Sequence, residues 1–189
     1  MAYPGMFLLD EHGVVVNKQF EQNYRVRPTA RIMEEFALGA VHEPRSDASS
    51  ASTAELGIRA WTDSPTYRPY QQVRLHLDMD IPAGLHVYAA PAPNGYTPLR
   101  VEVEPLDGLT AGGPTFPPSV PFCVAGLDEA FMVFEDGLHV LLPLQFTKNL
   151  GPTRLQVRVE YQACTATTCF APASIGFELD LNGLDLIRD

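Results

Sequence analysis

From about residue 54 onward the chain alternates apolar and polar residues. In "QQVRLHLDMD", Val73, Leu75, Leu77 and Met79 alternate with Gln72, Arg74, His76 and Asp78. "RLQVRVEYQ" sets Leu155, Val157, Val159 and Tyr161 against Gln156, Arg158 and Glu160. "GLHVLLPLQF" puts Leu138, Val140, Leu142, Leu144 and Phe146 on one face. A period of two is that of a strand with one face buried. Further strands are expected at "AELGIRAW", "GLHVYAA", "LRVEVEP" and "ASIGFELDL". About seven short strands separated by Pro/Gly turns predict a mainly β protein, an immunoglobulin-like antiparallel β-sandwich spanning 54–189. No repeat of about 20–50 residues interrupts this pattern.

The first forty residues follow a different rhythm. "MFLLD" and "VVVNKQF" flank "DEHG", a turn ending in Gly13, which predicts a hairpin. "RPTARIMEEFALGA" predicts a helix capped by Thr29 and ended by Gly39, with Ile32, Met33, Phe36 and Leu38 as its apolar stripe. One hairpin and one helix cannot bury a core alone. Residues 1–40 must therefore lean on the rest of the chain or on another one, and a homodimer through this fragment is one expected outcome. "VHEPRSDASSAST", residues 41–53, is polar and aperiodic and predicts a linker.

Composition narrows the function classes. Hydrophobic residues make up 46% of 189, ordinary for a packed protein, and the formal charge is −10. Such a charge disfavours nucleic acid and acidic lipid as partners. No run approaches the roughly 18 apolar residues of a membrane span. "MAYPGMFLLDEHG" has neither a basic n-region nor a cleavage site. The chain is nevertheless expected to be part of a longer protein.

The chemistry rests on three cysteines. Cys164 and Cys169 stand in "YQACTATTCFAP" with four small residues between them. A structural zinc site needs four ligands, and only one close cysteine pair exists. His76, His86 and His139 fall in predicted strands without ligand spacing, so each is expected to be exposed or hydrogen-bonded, and neither metal nor cofactor is expected. A disulfide across a hairpin mouth fits better, with Cα atoms about 4.4–6.8 Å apart. As a staple it would contribute only about 2 kcal/mol, against nearly 5 for a loop of about 100 residues. That favours exchange, while an inert structural bridge and two free thiols stay open. Arg154 and Arg158 lie upstream on the same strand, and neither obviously lowers a thiol pKa. Cys123 and Trp61 are expected to be buried core residues.

"DIPAGLHVYAAPAPNGYTPLRVEVEP", "FEDGLHVLLPLQF" and "RVEYQACTATTCFAP" together resemble the N-terminal domain of the disulfide reductase DsbD, the "disulfide bond corrector" family. The specific part is a strand ending in Tyr-Gln-x-Cys, a short turn, Cys, an aromatic, then Pro. The resemblance covers residues 54–182. It implies an immunoglobulin-like sandwich in the periplasm, passing electrons between thioredoxin-like partners through a redox pair, Cys164 and Cys169. Cys169 matches the cysteine that forms mixed disulfides. His86 and Tyr88 match positions of aromatic residues near the pair, with Phe122 and Phe170 as further neighbours or shields. A cap loop should correspond to part of 116–129, although the family's cap sequence is not reproduced there. The four-residue spacing is shorter than in the best-known members.

The opening stretch has its own resemblance. "YPGMFLLDEHGVVVNKQFEQNYRVRPTARIMEEF" is similar to the last third of a thioredoxin-like redoxin domain of the AhpC/TSA type. Pro4 matches that fold's cis-proline, and the half that carries a catalytic cysteine is missing. A redoxin–DsbD-like fusion is the implied whole protein. The rival reading is a non-catalytic immunoglobulin-like binding or scaffold module with an inert disulfide.

Overall fold

The computed structural model describes residues 5–20, 26–39, 44–123 and 130–186. The Tyr3–Pro4 bond, expected to be cis, and residues 124–129 of the expected cap loop lie outside them.

The N-terminal hairpin is β1 (Gly5–Leu9) and β2 (Val15–Phe20), turned at Gly13 with φ 78°. A short β3 (Arg27–Pro28) leads into α1 (Ala30–Leu38). Thr29 caps the helix, its side chain accepting the Ile32 N–H. Gly39 closes it with φ 61°, its N–H bonding the Glu35 carbonyl, a conformation that favours glycine. The expected apolar stripe is only partly used. Ile32 is buried, Phe36 is half-buried, and Met33 and Leu38 are exposed. A nine-residue helix resting against one sheet face covers little more than one residue per turn.

The remaining strands are β4 (Ser49–Ser52), β5 (Gly57–Thr62), β6 (Thr66–Tyr67), β7 (Gln71–Asp80) and β8 (His86–Tyr88). They continue with β9 (Arg100–Val103), β10 (Leu109–Ala111), β11 (Val120–Cys123) and β12 (Ala130–Phe134). The last four are β13 (Leu138–Phe146), β14 (Pro152–Tyr161), β15 (Ala163–Cys164) and β16 (Ala173–Gly183). The protein is mainly β with an immunoglobulin-like architecture. One sheet runs β10-β13-β7-β5-β4, with β3 joined in parallel to β7; a second runs β6-β16-β14-β9; a third runs β11-β12-β8-β15.

The alternation read from sequence is what builds the core. Val73, Leu75, Leu77 and Met79 of β7 and Leu138, Val140, Leu142, Leu144 and Phe146 of β13 are buried, and they meet Leu155, Val157, Val159 and Tyr161 of β14. Residues 49–52 depart from the expected linker, pairing with β5 in register Ser49↔Ala60 to Ser52↔Gly57. Small side chains let this polar segment lie flush as an edge strand, a signal that hydropathy does not carry. His76, on the polar side of the β7 alternation, is hydrogen-bonded, one of the two outcomes expected for it. It is buried, stacked on Trp61 at 5.2 Å and 3.2 Å from His139 Nε2 through its Nδ1. Trp61 is buried as expected.

A buried carboxyl helps dock the N-terminal unit. Asp63 accepts the Thr29 hydroxyl at 3.0 Å and the Arg74 backbone N–H at 3.0 Å, while the Arg74 guanidinium reaches Glu35 on α1. Burial raises the Asp63 pKa, outweighing the pull of these two bonds and of the Arg74 and Arg31 charges. A carboxyl whose pKa is raised by folding holds its proton more tightly folded than unfolded. Its stabilising contribution is therefore complete below its unfolded pKa and is lost as pH rises through the raised value. Asp63→Asn, which keeps an acceptor for Arg74, should match or exceed the parent at neutral pH and lose that advantage as urea unfolding is repeated towards acid. Asp63→Ala should cost about 1–3 kcal/mol, because buried donors lose their acceptor.

Candidate redox site

The third sheet separates two kinds of side chain by the same period of two. On β8, Val87 faces the main core, while His86 and Tyr88 face the other way. On β15, Ala163 belongs to the main core, and Cys164 joins Tyr88 and Val133 in a second cluster. Phe122, Phe131 and Ala92 pack against that cluster as half-buried neighbours. The strands thus carry the cysteine pair away from the central core to a satellite one.

Cys164 and Cys169 form a disulfide with an S–S distance of 2.08 Å. They are direct partners in an antiparallel bridge. The flanking positions are hydrogen-bonded, Phe170 N–H to the Ala163 carbonyl at 3.0 Å and Thr165 N–H to the Thr168 carbonyl at 2.7 Å. Non-hydrogen-bonded positions sit closest together in such a pair. This accounts for a Cα separation of 4.0 Å, just under the expected span. The turn has no glycine. Instead the Thr165 hydroxyl accepts the backbone N–H groups of Thr167 and Thr168, replacing the missing turn residue.

The two sulfurs live in unlike surroundings. Cys164 is 0% exposed, whereas Cys169 is exposed, as is Phe170 beside it. Only the second half of the pair is at the surface. His86 stands directly across from Cys164 in the β15–β8 pairing, with its ring 4.1 Å from that of Phe122 and 5.6 Å from that of Tyr88. His86 Nε2 is buried with no hydrogen-bond partner among the described residues. Burial lowers the His86 pKa, and the Glu135 charge opposes this. Burial, with Tyr96 adding to it, raises the Tyr88 pKa, and the two tyrosine rings lie 4.9 Å apart.

The structure brings Cys164, Cys169, His86, Tyr88 and Phe122 together; Phe170 follows Cys169 on the turn's outer side. Cys123 is a correction. It is exposed, because β11 is the edge strand of its sheet and alternation turns Phe122, not Cys123, towards the cluster. Arg154 and Arg158 bond Asp180, Glu178 and Glu104, so their charges serve carboxylates beside them on the β6-β16-β14-β9 sheet. Sequence reasoning counted Gln162 in the motif but gave it no role, and it is buried. Its Nε2 donates to the Phe170 carbonyl at 2.9 Å and its Oε1 accepts the Thr97 N–H at 3.0 Å, tying the cysteine turn to the 90–99 loop. Its place in the motif, two residues before Cys164, was the available signal. No cluster of three or more metal-capable side chains occurs among the described residues. No described helix is long and apolar enough to cross a membrane.

An immunoglobulin-like sandwich that carries a half-buried, half-exposed disulfide on a satellite sheet defines a class of protein suited to thiol–disulfide exchange. The chain belongs to the family described as thiol:disulfide interchange protein DsbD, N-terminal, whose model matches residues 60–180. That match leaves the hairpin and helix outside it. No curated protein matches the chain. Among solved structures, the reduced DsbD N-terminal domain of Neisseria meningitidis is 20% identical, with 58% of this chain and 78% of that one covered and a TM-score of 0.41. The N-terminal periplasmic domain of ScsB from Proteus mirabilis is 13% identical, with 69% and 47% covered and a TM-score of 0.45. A complex between the DsbD and PilB N-terminal domains of Neisseria meningitidis gives 21% identity, 56% and 73% coverage, and a TM-score of 0.41.

Proposed function

We propose that this protein is a periplasmic thiol–disulfide exchange domain that passes electrons between thioredoxin-like partners through Cys164 and Cys169. The observation that carries this is the unequal exposure of one disulfide. A partner thiolate can reach Cys169, while the sulfur left behind stays inside the fold. Cys169 is the sulfur exchanged with the partner, and Cys164 is the resolving thiol. The extracytoplasmic setting is supported by the family match and by the presence of a disulfide, which persists in oxidising compartments. The hairpin followed by a helix supports residues 1–40 as a redoxin remnant. The apolar side chains exposed on that hairpin, Phe7, Leu9, Val15 and Phe20, support a second copy as the occupant of its outer face. The test of function is to mix the folded, oxidised protein with reduced thioredoxin, quench with acid before any denaturant is added, and count by alkylation and mass the thiols carried by this chain alone. Two new thiols per chain are expected. A bridge that opens only on unfolding returns the domain to the inert-module reading.

In the same reading, Phe122 is the cover, packing on the cluster that contains Cys164. An aromatic contact of this kind is worth about 1 kcal/mol. Phe122→Ala should therefore speed reduction by dithiothreitol about fivefold, at about 1.4 kcal/mol per factor of ten. An unchanged rate in a folded variant would show that Phe122 shields nothing.

A further inference from the structure

When Cys169 is attacked, the sulfur that leaves is fully buried. A thiolate there bears the desolvation cost of any buried charge. Arg154 and Arg158, upstream on the strand that leads to the pair, are committed to carboxylates, so no cation of theirs offsets it. What the site holds instead is His86. Residues directly opposite in an antiparallel pair project to the same face, with Cβ atoms about 4.5–5.5 Å apart, and His86 is the direct partner of Cys164. It is 2% exposed, and its Nε2 has no partner among the described residues. Buried polar atoms are almost always bonded, so one left open beside a reacting sulfur needs a reason. Phe122 and Tyr88 confine the ring.

We infer that His86 is the proton carrier of the buried sulfur, taking the Cys164 proton when that thiol attacks and returning one when the thiolate leaves. This rests on the exchange reading above. In the resolving direction, Nε2 accepts the Cys164 thiol proton and the thiolate attacks Cys169 Sγ. The Cys164–Cys169 bond forms, the bond from Cys169 to the partner breaks, and the partner sulfur leaves with the electron pair and takes a proton from water. In the opening direction a partner thiolate bonds to Cys169 Sγ, the electron pair leaves on Cys164, and a proton entering through His86 neutralises it. The partner dithiol or disulfide supplies or receives the two electrons.

The electrostatics suit both halves. Burial lowers the His86 pKa, so the resting ring is neutral and able to accept, and the Glu135 charge favours the imidazolium formed in passing. Among the described residues, the other titratable groups facing it are Tyr88 on its own strand, with Tyr96 beyond, and Cys164 with Cys169 on the facing turn. Tyr88, raised by burial, stays neutral through the thiol range.

The test follows resolution directly, using the aromatic disulfide DTNB on reduced protein in a Cys123→Ala background. Attack by Cys169 releases one thionitrobenzoate, and attack by Cys164 on the adduct releases the second. With His86 present, the second release should be nearly independent of pH from about pH 7 to about pH 9, across the range of thiol ionisation. His86→Phe, which keeps the ring packing, and His86→Gln, which keeps a hydrogen-bonding group, should slow it about 10²-fold at pH 7, the low end for a lost general base. Both should recover as pH rises and hydroxide replaces the missing base. Variants that keep the parent's pH profile, at the same or a uniformly lower rate, overturn the proposal. So does a parent rate that itself climbs tenfold per pH unit throughout, a reading that needs no variant to fold. Absence of any second release in the parent would instead overturn the exchange reading.

Discussion

Cys164→Ala should accumulate a covalent complex with thioredoxin, and Cys169→Ala should give almost none. With Cys164 gone, the exposed Cys169 thiol still attacks or is attacked, and no neighbouring sulfur remains to resolve the mixed disulfide. With Cys169 gone, the remaining thiol is 0% exposed beneath Tyr88 and Val133, in a cluster covered by Phe122. Thiol reactivity follows access and thiolate fraction, and burial reduces both. The yields should differ by on the order of tenfold or more. Exposure of Cys123 adds a condition, since a free surface thiol can trap a partner adventitiously. Both variants belong in a Cys123→Ala background, which should itself exchange like the parent. Equal trapping by the two variants would remove the assignment of roles, read on non-reducing gels after acid quenching.

Phe146→Ala should produce the largest loss of stability of any substitution considered. Phe146 is 0% exposed, ends β13 and stacks on Tyr67 with ring centroids 3.7 Å apart. The Tyr67 hydroxyl in turn accepts the Leu150 N–H at 2.9 Å and bonds the Gly151 carbonyl at 3.2 Å, anchoring the β13–β14 connection. Removing the ring leaves a cavity and unseats that anchor. Phe→Ala changes in cores cost about 3–5 kcal/mol, a large share of the ~5–15 kcal/mol that holds a domain together. The midpoint of urea unfolding should fall with little change in slope. The folded fraction should keep the parent's exchange rate, because Phe146 packs in the main core and not in the cluster of Cys164. A loss below about 1 kcal/mol would contradict the packing described for this end of the sandwich.

The strands were legible because each long one buries a single face, and the alternation of β7, β13 and β14 states that face outright. The helix was legible from Thr29 and Gly39, whose side-chain chemistry and backbone freedom act locally. What sequence hides is what depends on partners distant in the chain. Ser49–Ser52 is a strand only because β5 offers an edge for small side chains. His76 is buried because Trp61 and His139 come to it from other strands. The motif around Cys164 and Cys169 announced the disulfide. Which sulfur is inside depended on β8 and β12, about 30 to 80 residues upstream, closing over one of them. The open nitrogen of His86 needed the same assembly to be seen.

The central claim is that the folded protein opens and closes this bridge. The most direct measurement equilibrates it with graded ratios of reduced and oxidised dithiothreitol, quenches with an alkylating agent, and records far-ultraviolet circular dichroism at each ratio. We expect one reversible two-electron transition of Cys164 and Cys169, at a midpoint above about −300 mV and with secondary structure retained on both sides. A midpoint well below that value, or reduction that proceeds only as the strands melt, would make the bridge a structural staple and contradict the account.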